Sequence, residues 1–276
     1  MMRKLLVLFL FSLPYFAPAG GWPKKKGSGY YKLGYSIING THFYDESGIK
    51  TPLERVLNFN TLSVYVEYGI TDRLTAISYI PFATTAKLEM QTGATSASIT
   101  TLGDVNVGFQ YGLIVDKPTV LSISATLGLP TGRTSTDTSG SEESLQTGDG
   151  EFNQLIKIET GHSFKNGFYA STYLGLNIRS QGFSEEIQFG GEIGHVNNAL
   201  VSILKLQSIN SLNNGDNTAS ANSDIFNNNM ELLTIAPELA LKLSDKFGIS
   251  VNHTIYLSGK KTLASPNTTI GIFWDL

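Results

Sequence analysis

Four histidines, His42, His162, His195 and His253, are the side chains best suited to moving protons or binding a metal near neutral pH. None of them stands in the H-E-x-x-H spacing that brings two imidazoles to one zinc ion, and no G-x-S-x-G turn presents a serine nucleophile. The chain has no cysteine, which removes thiolate metal sites, disulfides and a cysteine nucleophile together. Carboxylates are more plentiful. Asp137, Glu142, Glu143 and Asp149 fall within 130–150, and Asp216 and Asp224 within the Asn-rich stretch 209–230. Carboxylates beside Asn could hold calcium, but the ordered ligand spacing of a calcium loop is absent. These stretches therefore read as solvated loops, and no catalytic residue, metal or cofactor is expected.

The background in which these residues sit is unusual for a globular protein. The 276 residues are 41% hydrophobic but only 16% charged, with 28 Gly and a mean hydropathy of -0.02. No apolar run reaches the ~20 residues that a spanning helix needs. A pI near 5.8 and a net charge of -3 give no general attraction to nucleic acid. The N-terminus is patterned for export. Arg3 and Lys4 precede the apolar run Leu5 to Leu13, and Ala17-Pro18-Ala19 places small residues where a signal peptidase reads. Residues 1–19 are expected to be a cleaved signal peptide and 20–276 one domain, net -5 after removal of the two basic residues.

The remainder has a period of two. Val105, Val107, Phe109, Tyr111 and Leu113 alternate with Asn106, Gly108, Gln110 and Gly112, which is a strand with one apolar face. Leu121, Ile123, Ala125, Leu127 and Leu129 repeat the pattern against Ser122, Ser124, Thr126 and Gly128. Twelve such strands are predicted, near 29–38, 59–70, 74–82, 103–114, 119–129, 151–162, 168–178, 185–195, 199–208, 231–243, 247–258 and 267–276. In 74–82 the apolar face is contested between Ala76 and Ile80 on one parity and Ile77 and Tyr79 on the other. Most strands run about ten residues, the length a strand tilted by ~45° needs to cross a bilayer.

Connections alternate between tight turns, such as Thr71-Asp72-Arg73 and Ser244 to Lys246, and generally longer loops at 39–58, 83–102, 130–150, 179–184, 209–230 and 259–266. That alternation is how short periplasmic turns and longer outer loops read in a membrane barrel. Tyr31, Tyr68, Tyr111, Phe168, Phe247 and Trp274 all take the apolar parity within a few residues of a short turn or a terminus, forming one membrane-interface girdle. A soluble β-sandwich gives no reason for either pattern. The expected fold is all-β, a closed antiparallel up-and-down transmembrane β-barrel of about 12 strands, because an unpaired strand edge in hydrocarbon costs several kcal/mol per group.

Polar parity then turns Lys32, Glu67, Asn106, Gln110, Lys157, Glu159, Glu186, Gln188, Glu192, Lys205 and Glu238 into the lumen. Tyr65, Tyr169, Tyr173, Tyr256 and Phe273 follow them. Charges of both signs are either structural ion pairs bracing a narrow barrel or a wetted constriction that selects solutes. The inward rings either fill space or form a track for aromatic or amphipathic molecules. His253 faces outward, and a lipase built into a barrel wall would need a neighbouring nucleophile there; the position two residues on is Ile255. No enzyme is read.

Gly21-Trp22-Pro23-Lys24-Lys25-Lys26-Gly27-Ser28-Gly29-Tyr30-Tyr31-Lys32-Leu33, then His42-Phe43-Tyr44-Asp45 and Gly48, resembles the opening of the outer-membrane barrels catalogued under the meta-pathway of phenol degradation, or MetA-pathway proteins. Glu67 to Leu74 resembles that family's first periplasmic turn, and Leu102 to Gly108 the beginning of the strand after its second outer loop. The resemblance is sharp over about 21–130 and implies an outer-membrane barrel loosely similar to hydrophobic-compound channels; it carries over no catalytic residue. The reading is a passive channel or binding barrel in the outer membrane for small molecules, with aromatic or hydrophobic ones as the candidate class. Its alternative is a structural or adhesive barrel with an occluded lumen. The expected partners are outer-membrane lipids, a small-molecule solute and the barrel-assembly machinery.

Overall fold

A computed structural model of the chain describes residues 20–90, 95–134, 145–216 and 228–276. The expected signal peptide at 1–19 and the loop carboxylates Asp137, Glu142, Glu143 and Asp224 lie outside the described residues. The strands are β1 (Gly29–Tyr44), β2 (Lys50–Gly69), β3 (Leu74–Met90), β4 (Thr95–Thr101), β5 (Val105–Ile114), β6 (Thr119–Leu129), β7 (Asn153–Ser163), β8 (Phe168–Arg179), β9 (Glu186–Asn197), β10 (Leu200–Ser211), β11 (Glu231–Lys242), β12 (Phe247–Lys260), β13 (Thr262–Leu263) and β14 (Asn267–Asp275). All pairings are antiparallel, and apart from β3 with β5, β12 with β14 and the closing strand β1 they join sequence neighbours; β1 closes the ring by pairing with both β2 and β14. The short β4 and β13 extend β5 and β14 past local breaks, so the barrel has twelve staves. Among the described residues each of the twelve staves has a neighbour on both sides, as hydrocarbon demands, and only the short outer pieces β4 and β13 pair on one side alone.

The faces are those of a protein turned inside out. On β5, outward Phe109 is 56% exposed while its inward neighbour Gln110 is 5% exposed. Ile158 on β7 and Leu174 on β8, paired in register, are similarly exposed on the outer wall. Inside, the buried residues include Ser122, Ser124, Ser171 and Ser250, small polar groups that let the walls approach. The contested segment resolves in favour of hydrogen-bonding register: Ile77 and Tyr79 turn inward to line a lumenal chamber.

Two expected outer loops are largely strand instead. The stretches 39–58 and 83–102 contribute the far ends of β1, β2 and β3 and all of β4, which rise beyond the other strands as a paired crown. Above the bilayer both faces of a strand meet water or protein, so the dyad that marks a membrane crossing disappears. The crown's inner face carries its own apolar cluster, with Leu57, Phe59, Ala86, Ala97 and Ile99 packed under Leu145 from the following outer loop. β3 changes partner from β5 at Tyr79 to β4 at Thr84, and Leu102 to Asp104 bridge the step.

Candidate functional site

The lumen is divided from the periplasmic end upward. Residues 20–28, which the periodicity leaves without structure, fold into the barrel rather than away from it. Gln110 Nε2 donates to the Gly20 carbonyl at 3.0 Å and Ser122 Oγ to the Gly21 carbonyl at 2.6 Å. The Lys24 amide donates to Thr75 Oγ1 at 2.7 Å, and Gly27 and Ser28 exchange backbone bonds with Gly69. Trp22 lies flat against Gly161 on β7: a Cβ there would come within 2.2 Å of the indole. Its ring meets Tyr169 edge-on at 5.9 Å. Glycine at 161 is therefore a seat for the tryptophan, since any side chain would fill it.

Lys24 anchors this segment electrically. Its Nζ lies 3.4 Å from Asp275 and 3.9 Å from Glu67, and 5.4 Å from the centre of the Tyr30 ring. Glu67 also accepts from the Tyr65 hydroxyl at 2.6 Å. A second group reaches from β1 across to β8–β11. Lys32 and Lys205 both donate to Glu238, at 2.9 and 2.6 Å, and Tyr169 donates to Glu192 at 2.9 Å. Lys32, Lys205 and Glu238 border a cavity of about 280 Å3.

Above the N-terminal segment lies a chamber of about 460 Å3, within the range of small-molecule pockets. Tyr65, Glu67, Asn106, Gln110, Lys157, Glu159 and Tyr173 line it, together with Glu186 and Gln188. Glu159 is held by Ser124 and lies 3.4 Å from Lys157 Nζ, whose ammonium also sits 5.1 Å over the Tyr173 ring. Tyr256 takes the same inward parity but does not border either cavity. Phe273 is 2% exposed and stacks on Tyr30 at 5.8 Å.

At its outer end the chamber is ringed by Arg179, which reaches Glu186 at 2.7 Å, Asp149 at 3.9 Å and Oε1 of Glu151. Burial pushes the Glu151 carboxyl up to about 8, with the Arg179 bonds pulling the other way. Asp104, at the step beneath β5, accepts the amides of Gly132 at 2.8 Å and Asp149 at 3.2 Å, and burial pushes it up to about 6. The outer loop is thereby tied across the mouth.

The six residues expected to form a girdle lie at the strand ends beside the short turns and the termini. Tyr68, Tyr111 and Phe168 are exposed there, Trp274 is opposite both Tyr31 and Phe247, and the Phe247 and Trp274 rings lie 5.8 Å apart. His253, on the outer wall, is within 2.8 Å of Thr268 Oγ1. Among the described residues no group of three His, Asp or Glu side chains is arranged to hold a metal. Trp22, Lys24, Tyr30, Tyr79 and Arg179 are part of the lumen but were not picked out by parity. Tyr30 and Arg179 follow from continuing the inward parity of β1 and β8, whereas Tyr79 lies in the segment whose parity is contested.

No family model matches the chain, and no curated protein matches it in sequence. Its fold is shared with solved outer-membrane proteins. An outer membrane channel from Pseudomonas putida F1 superposes with a TM-score of 0.67 at 12% identity, over 95% of this chain and 100% of that one. The KdgM porin does so with a TM-score of 0.54 at 6% identity over 90% and 99%, and the NanC porin with 0.54 at 9% over 89% and 100%. These likenesses establish the fold alone, a closed twelve-stave barrel.

Proposed function

We propose that the chain is a passive channel of the outer membrane for small molecules, closed at rest by its own N-terminal segment. The observation that carries this reading is the polar, aromatic chamber of about 460 Å3 inside a closed barrel, resting on a stopper of residues 20–28. The stopper is held by side-chain bonds to the Gly20 and Gly21 carbonyls, by the Lys24 amide and ammonium, by the Trp22 seat and by a short backbone pairing of Gly27 and Ser28 with Gly69; none of these bonds belongs to the ladder that closes the barrel, so the segment can leave without opening the wall. Lumenal carboxylates and lysines would steer solutes, and the inward tyrosines would offer ring faces to them. The exposed apolar wall suits outer-membrane lipids, with Tyr31, Tyr68, Tyr111, Phe168, Phe247 and Trp274 as the interface girdle. Export by residues 1–19 and insertion by the barrel-assembly machinery complete this account, and the resemblance of Gly21 to Leu33 to the phenol-pathway barrels fits it.

The same stopper favours a second reading, a structural barrel whose lumen stays filled. Swelling of liposomes loaded with purified protein separates the two. With residues 20–26 removed, the channel reading expects swelling with small solutes that falls off with solute size; liposomes that remain sealed to every solute around the shortened, folded barrel support the structural barrel.

A further inference from the structure

Two buried acceptor atoms at the outer end of the chamber have no hydrogen-bonding partner among the described residues: Glu151 Oε2 and Asn177 Oδ1. Both residues border the chamber, and they are 2% and 6% exposed. Neither orphan is an accident of orientation. Arg179 spends Nε and Nη2 on the same Oε1 atom of Glu151, leaving Oε2 bare. Asn177 directs Nδ2 to Asn153 Oδ1 at 2.8 Å and to Glu186 Oε2 at 3.1 Å, which fixes its carbonyl the other way. Glu186 joins the two, since it also accepts from Arg179 at 2.7 Å. A buried acceptor left without a donor costs about 1–3 kcal/mol, more when it is charged, so two together mark a place where donors are missing.

The charge around them decides which donors. Glu67, Asp149, Glu151, Glu159 and Glu186 border the chamber against Lys157 and Arg179, an excess of three carboxylates once Glu151 has given up its proton, above about pH 8. Setting Lys24 against Glu67 still leaves an excess of two. Donors carried by an anion are therefore repelled, and hydroxyl donors bring no charge to offset the excess. Among the described residues a metal ion has no group of three carboxylate or histidine ligands to enter.

We propose that the outer end of the chamber is a binding subsite for a compact organic cation bearing N–H donors, a guanidinium or primary ammonium, hydrogen-bonded by Glu151 Oε2 and Asn177 Oδ1. The cation occupies the place where Arg179 leaves off, and Tyr173 and Tyr79 lie along the same chamber to meet its carbon portion. This subsite rests on the channel reading, because a solute must reach the chamber, and it names the class of solute the channel takes.

The test is calorimetric titration of the detergent-solubilised full barrel at about pH 9, where Glu151 is ionised, with guanidinium chloride and 1,3-diaminopropane at millimolar concentration. Tetramethylammonium chloride supplies the same charge without N–H donors, and sorbitol supplies donors without charge. Guanidinium and diaminopropane are expected to bind, tetramethylammonium and sorbitol at least about tenfold more weakly, the share of two charge-assisted hydrogen bonds. Glu151→Gln, checked for folding by its unboiled mobility in detergent gels, is expected to weaken guanidinium by about tenfold. Asn177→Ala tests the second acceptor if Glu151→Gln does not fold. Equal binding of tetramethylammonium or sorbitol, unchanged affinity in the folded variants, or no heat from any probe overturns the subsite. Conductance of the same preparation in a planar bilayer keeps the two readings apart: conductance without cation binding removes the subsite alone, and binding without conductance removes the channel alone.

Discussion

Lys24 in the N-terminal segment and Asp275 near the other end of the chain meet inside the periplasmic mouth, Nζ to Oδ1 at 3.4 Å. The backbone seals the same place, for Gly29 and Leu276 exchange two hydrogen bonds. The segment is thus moored where the barrel closes, and its lysine shares that mooring with Glu67.

Removing the mooring charge should loosen the stopper. Breaking a buried pair by deleting one partner costs about 3–5 kcal/mol, because the remaining carboxylates are left without a counter-charge. Lys24→Gln is therefore expected to raise the open fraction of single channels by more than about tenfold while leaving the unboiled gel mobility of the barrel intact. An unchanged open fraction would show that the lysine does not hold the segment.

Gly161→Val attacks the same segment by shape. A Cβ at 161 would lie 2.2 Å from the Trp22 ring, and that ring cannot yield without leaving Tyr169. In a Trp274→Phe background, where Trp22 is the remaining tryptophan, the emission should shift to the red as the indole leaves its seat. Emission that stays in place would mean the ring is seated elsewhere.

The outer wall makes a prediction about lipid. Leu174 is 56% exposed midway along β8. Leu174→Arg there should destabilise the barrel in vesicles by about 2–4 kcal/mol, read from reversible denaturant unfolding. A change near zero would place that face in water.

The outer rim should respond to pH. Burial raises both Asp104, to about 6, and Glu151, to about 8, above their ordinary values, so the folded rim holds these protons more tightly than the unfolded chain. Their contribution to rim stability is present in full below the ordinary carboxylate range and is lost as pH rises through about 6 and then about 8. Amide protection across 145–152, corrected for intrinsic exchange, should fall between pH 5 and about 8.5, and Glu151→Gln should erase the upper part of the fall. Protection that increases over this window would reverse the assigned sign.

Much of the wall is legible in the residues because lipid enforces it. Phe109 beside Gln110 leaves a strand one way to face, and Thr71-Asp72-Arg73 one way to turn. The crown was not legible: Lys50, Glu54 and Arg55 on β2 are exposed above the bilayer, where no apolar face is imposed. Parity also places Lys32 and Glu238 inside without pairing them, since they lie 206 residues apart and meet only when the ring closes. The stopper is hidden for a related reason. Gly20 to Lys24 carry no period, and their partners Thr75, Gln110 and Ser122 come from three different staves.

The central claim, a passage through this barrel stoppered by its own N-terminal segment, is tested most directly by single-channel conductance of the purified barrel with and without residues 20–26. The account predicts small or rare openings for the full chain and a larger, steadily open conductance once the segment is gone. A bilayer that stays sealed with the shortened chain, folded by its gel mobility, would contradict it.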